Sequence, residues 1–553
     1  MTATGNLLGT AVSGLLAYQR AMATTGHNVS NVNTPGFSRQ SVELATQMPL
    51  FSGGGFVGTG VNVNSVSRAY DQFLTTTLRT TTSGQSEFGA YYALSKQIDN
   101  VVADPQAGLS PALQDFFNAV HTVSTDPSST TARQVMLSQA NSLANRFHFL
   151  NDRLDNLQAS ANTQVQATVV QINTLGHSIA QLNQQIADLQ GLAAGKVPND
   201  LLDQRDEAIR QLAELVSVSV VPQDNGALNV FIGNGQSLVL SNQSATLNVM
   251  QNKFDPANFD VGFSFNGGGV MNITQNLTGG KLGGAIGFRD GLLKNTVDQL
   301  GRVAVGLSEV FNAQHQLGLN QSNTPGGNFF TDLGTQQAIA SRNNNALTNI
   351  TFTGDVTDVG ALKASDYRID FNAGNYTMTR VSDNTIVGVS AVPTFNLTAT
   401  EGFNVSAAGA VVNNGDSFLL SMTANAARDT GVVVTQSTQI AAAAPLRTRT
   451  AITNTGNGTI TQGDVSNTSN VPLAGSITMT FDSSIPGFTV VGGPGGPLAY
   501  NPATESAGKS FTFAGYGGFT FRVLAYRSTA TNLWSRTTPA GPATIATLWR
   551  WPH

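Results

Sequence analysis

Apolar residues recur along this chain at two different periods, and the change between them divides it. Between 8 and 32, Leu8, Val12, Leu15, Met22 and Val29 return at steps of three, four or seven, which places them on one side of a helix that needs a partner surface. A single stripe of this kind is more often an ordinary amphipathic helix packed on its own domain. The helix is expected to stop between Ser30 and Thr34, because Asn31, Asn33, Pro35 and Gly36 disfavour its continuation and Pro followed by Gly suits a type II turn. Partial alternation over 37–47 and 60–66 predicts an extended, hairpin-like excursion around the loop SGGGFVGTG.

The clearest periodic signal runs over 143–189, where Leu143, Phe147, Leu150, Leu154, Leu157, Ala161, Val165, Val169, Ile172, Leu175, Ile179, Leu182, Ile186 and Leu189 follow at steps of three or four. It predicts a long helix in a coiled-coil-like bundle, on the order of 70 Å at 1.5 Å rise per residue. Leu293, Val297, Leu300, Ala304, Leu307, Phe311 and Leu317 repeat the spacing and form its expected antiparallel mate. A further helix is expected over 71–102, and a small β insertion over 216–250. After about Gly326 the helical period gives way to strand-like runs separated by Gly, Asn and Asp turns. Within them, EGFNVSAAGAVVNNGDSFLL from Glu401 resembles a second copy beginning GGFTFRV at Gly517, an internal duplication. The expected fold is α+β and multidomain: a long helical bundle with β-rich outer domains, divided as 1–70, 71–330, 331–450, 451–523 and 524–553.

Composition narrows the function. At 553 residues the chain is too long for one ordinary core. Charged residues make up 11% and the formal net charge is -5, with no polybasic stretch, so neither nucleic acid nor an anionic membrane is an expected partner. There is no cysteine, which excludes disulfides and thiolate metal sites. The N-terminus lacks the basic and apolar regions of a secretory signal, and no run of about 20 apolar residues predicts a membrane span.

Candidate chemistry is sparse. Gly53, Gly55 and Gly58 satisfy G-x-G-x-x-G, but they follow no buried strand and open no helix, so a loop is the expected reading. His27, His121, His148, His177, His315 and His553 are scattered without ligand spacing; His148 and His177 could face one another from helix surfaces, and neither receives a role. Asp200, Asp203, Asp206 and Glu207 beside Arg205 and Arg210 are expected to form ordinary surface pairs. No catalytic, cofactor-binding or metal-binding residue is assigned.

The segment HNVSNVNTPGFSRQ at 27–40 resembles the N-terminal signature of flagellar rod, hook and hook-associated proteins, carried here by Asn31, Asn33, Thr34, Pro35, Gly36, Phe37 and Arg39. PNDLLDQRD from Pro198, GNGQSLVL from Gly233, GGKLGGAIGFRDGLL from Gly279 and FNAQHQLGLN from Phe311 look like the hook-associated protein 1 branch of that family. The resemblance covers 1–523. It implies a non-enzymatic structural subunit between hook and filament, exported by the flagellar type III pathway and located outside the cell. It also implies terminal helices paired along the axial core, with Leu8, Val12, Leu15, Met22 and Val29 as the packing stripe. The implied partners are the flagellar hook protein, the second hook–filament junction protein, copies of the chain itself and an export chaperone acting on the C-terminal region. Other readings are a hook- or distal-rod-type axial protein, a secreted β-rich adhesin, and a wall hydrolase carried on an axial protein.

The family pattern, which ends in an apolar-striped helix, is not met after Leu524. Trp534, Trp549 and Trp551 are all the tryptophans of the protein, and this last stretch contains no Asp or Glu. Reread one nucleotide earlier, it permits SGVPVDGDQFVVE, whose GDQF matches Gly415, Asp416, Ser417 and Phe418. Residues 524–553 are therefore expected to be an out-of-frame tail, which puts chaperone binding in doubt.

Overall fold

Helix α1 (Ala3–Ser30) ends where Pro35 and Gly36 were expected to end it. Gly36 sits at φ +78°, and the Phe37 amide donates to the Thr34 carbonyl at 3.2 Å, the arrangement of a type II turn. The computed structural model describes residues 3–51, 54–102, 108–192, 198–452, 458–468, 475–482, 484–485, 487–493, 497–524 and 532–537. These fall into two units, Met1–Ile98 with Asp155–Leu293 and Asp99–Leu154 with Lys294–His553. The other long helices are α2 (Gln72–Val102), α3 (Leu109–Thr125), α4 (Thr130–Leu192), α5 (Asn199–Leu215), α6 (Gly280–Gly287) and α7 (Lys294–Gln316), with a π-helical Phe288–Leu293 joining the last two.

In the first unit the expected excursion is an antiparallel ladder of β1 (Gln40–Thr46) and β4 (Val61–Arg68), tipped by β2 (Leu50–Phe51) and β3 (Phe56–Val57). The insertion continues beyond 250. A sheet of β5 (Val218–Pro222), β6 (Leu228–Ile232), β7 (Gln236–Leu240) and β8 (Gln243–Ser244) is followed by one of β9 (Thr246–Gln251), β10 (Phe259–Ser264) and β11 (Met271–Asn272).

The expected pairing of α7 with the whole 143–189 stripe is corrected. In the second unit, Ala304, Val305 and Phe311 of α7 share a core with Met136, Leu137, Ala140, Leu143 and Phe147 of α4 and with Phe116 of α3. Phe116 and Phe311 lie 5.3 Å apart between ring centroids. From Asp155 onward α4 belongs to the first unit, where the β insertion docks on it through asparagines. Asn183 donates to the carbonyls of Leu228 and Ser241 and accepts from the Leu228 amide; Asn173 bonds both backbone groups of Leu247; Asn162 donates to the Ala257 carbonyl. Steps of eleven and ten residues are about three helical turns, so the three amides share one face. Asn183 and Asn173 satisfy backbone groups at or next to strand ends, and Asn162 satisfies a carbonyl in the turn before β10.

The β part of the second unit is built twice. Strands β12 (Thr335–Gln337), β13 (Ile339–Ala340), β14 (Thr351–Val356), β15 (Asp366–Asn372), β16 (Asn375–Arg380), β17 (Thr385–Ser390), β18 (Phe395–Leu397), β19 (Phe403–Ala408) and β20 (Ser417–Ser421) form sheets ordered β13-β20-β15-β16-β17 and β12-β14-β19-β18. Strands β21 (Leu446–Thr450), β22 (Thr459–Ile460), β23 (Ile477–Asp482), β24 (Gly487–Val491), β25 (Leu498–Ala499), β26 (Lys509–Phe513), β27 (Phe519–Leu524) and β28 (Asn532–Thr537) form β21-β28-β23-β24-β25 and β22-β27-β26. Chain order and sheet order agree strand for strand, with β12 alone unmatched among the described residues. Within that match the two similar sequence runs become β19 and β27, each entered from a glycine at positive φ, Gly402 and Gly518. Residues 525–531 and 538–553 of the expected tail lie outside the described residues.

Candidate functional site

The two most distinctive sequence segments, 27–40 and the start of α5, meet in the first unit. Asn199, Asp203 and Asp206 stand at i, i+4 and i+7 on α5, so they share one face. Asn199 donates to the Val66 carbonyl at 2.7 Å. Asp203 accepts from the Ser38 amide and from Arg68 Nη1, both at 2.8 Å. Asp206 lies 2.7 Å from Arg68 Nη2 and accepts from Arg79 Nη2 at 2.8 Å, which brings in α2. Asp200, more exposed, reaches His27 Nε2 at 3.2 Å and Gln40 Nε2 at 2.7 Å. The His27 ring meets Phe37 edge-on, with centroids 5.4 Å apart. Asn28 bonds both backbone groups of Gln40.

This corrects the surface-pair reading of Asp203 and Asp206. Both carboxylates are withdrawn from water, and their partners are Arg68 and Arg79 rather than the neighbouring arginines. Arg205 points the other way, donating to Asn183 and to the Gly226 carbonyl, and burial pulls its pKa down to about 10. Arg210 alone behaves as expected, bridging Glu207 and Glu214 on the helix surface. The sequence signal that could have marked the cluster was the i, i+4, i+7 spacing of three polar residues ahead of an apolar stripe.

Of the motif residues, Asn31 donates to the His27 carbonyl, Thr34 donates to Asn31, and Gly36 is pressed on α5: a Cβ there would stand 2.7 Å from Glu207 Cβ. Phe37 packs on His27, while Asn33, Pro35 and Arg39 stay exposed.

The stripe has the opposite environment. Leu8, Leu15, Met22 and Val29 are 69%, 59%, 73% and 68% exposed, and Val12 is exposed as well. The far side of α1 is the one that is held: Ala17 is buried, Ser13 Oγ accepts from the Val61 amide at 3.2 Å, and Gly60, at φ +121°, has no room for a Cβ against Ser13. At about 100° per residue, positions 13 and 17 lie across the helix from the stripe. The hairpin and α5 therefore fix α1 with its apolar seam turned outward.

Among the described residues no group of three His, Asp or Glu side chains could hold a metal ion, and no helix is long and apolar enough to cross a membrane. His148 and His177 fall in different units and bond elsewhere, to the Thr430 carbonyl and to Ser244. Gly53 of the G-x-G-x-x-G run lies outside the described residues.

Family models match over much of the chain: "Flagellar hook-associated protein FlgK helical domain" over 95–330, "Flagellar hook-associated protein 1, D2-like domain" over 340–422, and "Flagella basal body rod protein" over 8–37. Flagellar hook-associated protein 1 of Salmonella typhimurium is 34% identical over 439 residues, 79% of each chain. That of Bacillus subtilis is 25% identical over 476 residues, 80% of this chain and 88% of the relative. The solved flagellar hook junction protein FlgK from Burkholderia pseudomallei superposes with a TM-score of 0.75 at 29% identity, covering 84% of this chain and 88% of its own. The chain belongs to the flagellar hook-associated protein 1 family, structural proteins of the flagellum at the hook–filament junction.

Proposed function

We propose that the chain joins hook to filament as a non-catalytic axial subunit, using the stripe Leu8, Val12, Leu15, Met22 and Val29 as its polymer contact. The observation that carries this reading is a large apolar seam on α1 turned outward, while the opposite side of the helix is held by the hairpin through Ser13 and the helix end is bound through Asn28 to Gln40 and through His27 to Asp200 of α5. Five wet apolar side chains forgo roughly 1.5–3 kcal/mol each if never covered, a standing drive toward assembly. The chain is nearly uncharged along this face, so covering it strands few ions. Its partners are the hook protein on one side, the second junction protein on the other, and copies of itself around the ring. The export-chaperone contact depends on the C-terminal region and is lost where residues 524–553 are out of frame; the working location is outside the cell.

The test is capping of isolated hooks that lack their own junction protein. Purified chain, followed by antibody-labelled electron microscopy, should occupy the distal hook end. A Leu15→Asp, Met22→Asp variant should fold and fail to bind there. Undiminished capping by that variant would overturn the reading.

A further inference from the structure

One buried histidine belongs neither to the stripe nor to the cluster on α5. His315, in the run FNAQHQLGLN at the end of α7, is 5% exposed and has both ring nitrogens engaged. Nδ1 donates to the Gly327 carbonyl at 2.7 Å, and Nε2 accepts from the Ala441 amide at 2.8 Å. A carbonyl only accepts and a backbone amide only donates, so the ring is held as the neutral Nδ1–H tautomer. Ala441 lies in the stretch 422–445, which joins β20 of the first β repeat to β21 of the second. The same stretch is laced to the loop after α7. Leu319 and Ala443 exchange both backbone hydrogen bonds, and the Gln321 amide donates to the Thr438 carbonyl. The packing there is close. A Cβ at Gly318 would stand 2.4 Å from the Ala441 carbonyl oxygen, and one at Gly326 would stand 2.6 Å from Ala441 Cβ and 2.9 Å from His315 Nδ1. Phe329 meets the imidazole edge-on, with centroids 5.5 Å apart.

We propose that His315 is an acid-released latch: a proton taken up at Nε2 turns the acceptor of the Ala441 amide into a second donor and frees 437–443 from the end of α7. Two N–H groups then oppose each other in a dry site, and a buried charge without an acceptor is costly. The surroundings offer that charge no help. Arg133 of α4, itself 3% exposed, donates to the carbonyls of Pro127, Ser437 and Ile440 and pairs with no carboxylate among the described residues. Burial, with a smaller push from Arg133, holds the His315 pKa below the ordinary value of 6.5 against the pull of the Gly327 carbonyl. Once 437–443 is released the ring protonates as an ordinary histidine. The closed form therefore loses ground as pH falls below 6.5, by up to about tenfold per pH unit, until the lower folded value is passed. The other titratable groups on these elements respond differently. Glu309 of α7 is engaged by the Leu333 and Gly334 backbone and by Asp332, and burial raises its pKa, as it does that of Asp298. Raised carboxyls contribute more as pH falls, the opposite sign. His148 of α4 reaches the Thr430 carbonyl through Nε2 as a donor, and a second ring proton leaves that bond in place.

The test is amide hydrogen exchange of the full chain near pH 7.5 and near pH 5, each corrected for intrinsic rates. Protection of 437–443 should fall by up to about tenfold for each pH unit below 6.5, while that of α3 holds. His315→Gln sets a carboxamide oxygen where Nε2 stands, so it should keep the protection seen near pH 7.5 and lose the response to acid. Exchange at the imidazole C2 position, followed by mass spectrometry, reads the same group without a substitution, and His315 should titrate below 6.5. Equal protection of 437–443 at the two pH values overturns the latch, as does a full acid response in His315→Gln or an unshifted C2 titration. If the variant loses protection near neutral pH as well, the parent chain's acid response and its C2 titration decide the question between them.

Discussion

Arg68 and Asp203 meet at 2.8 Å with their side chains only 11% and 6% exposed, and they tie the end of the β1–β4 hairpin to the first turns of α5. Asp206 completes the arrangement by serving Arg68 and Arg79 together. Replacing Asp206 by Ala leaves two guanidinium groups facing one carboxylate in a largely dry site, and breaking a buried pair from one side costs about 3–5 kcal/mol. The expected result is faster hydrogen exchange throughout β1 and β4, with exchange in the second unit unchanged. Equal protection in the variant would show the cluster to be dispensable.

How much of this could be read in the sequence depended on whether the cause was local. The stop of α1 was legible because Pro35 and Gly36 act on their own backbone. The helical stretch 143–189 was legible because its stripe is periodic. The partner of that stripe beyond Asp155 was not, because a strand end that accepts an asparagine amide carries no pattern of its own. Asn173 and Asn183 read as polar spacers although they hold the insertion in place. The clamp was misread for a related reason. Asp203 and Asp206 sit beside Arg205 and Arg210 in sequence, yet Asp203 pairs with Arg68 across 135 residues and Asp206 with Arg79 across 127.

Asn183 is nearly fully buried, and its amide serves the Leu228 backbone, the Ser241 carbonyl and the Arg205 guanidinium. Asn183→Ala leaves these groups without a partner, at about 1–3 kcal/mol for each buried polar group left unsatisfied. Local exchange of the β6 and β7 amides should rise strongly. Asn183→Asp, which keeps the acceptor and adds a charge beside Arg205, should recover part of the protection. A variant indistinguishable from the parent would mean that apolar packing alone seats the insertion.

In the second unit Lys294 stands 2.6 Å from Asp298 and 3.0 Å from Asp366, and Thr423 donates to Asp298. Burial pushes the Asp298 pKa up to about 6 against the pull of Lys294. Lys294 is itself opposed by burial, but Asp366 and Asp298 outweigh it and hold its pKa above the ordinary lysine value. The signs follow from proton counts. Between the ordinary aspartate value of 3.8 and about 6 the folded chain holds a proton that the unfolded chain has lost, so this group's contribution falls as pH rises through that window. The slope is at most about 1.4 kcal/mol per pH unit. The lysine contribution is present below its ordinary value and is lost as pH rises through the higher folded one. Asp298→Asn should flatten the pH dependence of α7 and β15 exchange between pH 4 and 6, approached from about neutral. An unchanged slope would assign the titration to another group.

The last strand bears on the tail. In sheet order β28 takes the place in the second β repeat that β20 takes in the first. In β20 the inward positions are Phe418 and Leu420, both almost fully buried. Aligned by topology, their counterparts are Leu533 and Ser535, so a register position that is apolar in the first repeat is a serine in the second. The alternative frame supplies GDQF at 530–533 and Val at 535, which keeps the first of these positions apolar and restores the second. An out-of-frame origin for this stretch therefore predicts that sequencing the gene across the codons for 519–529 will reveal a missing or added nucleotide. It also predicts that the restored chain gains about 1–2 kcal/mol in its second β repeat from burying the regained side chain. Thermal unfolding of the two products compares them directly, and hook capping should improve in parallel. If the gene is intact across those codons and the restored chain is no more stable, the tail is native and Ser535 is tolerated at that register position.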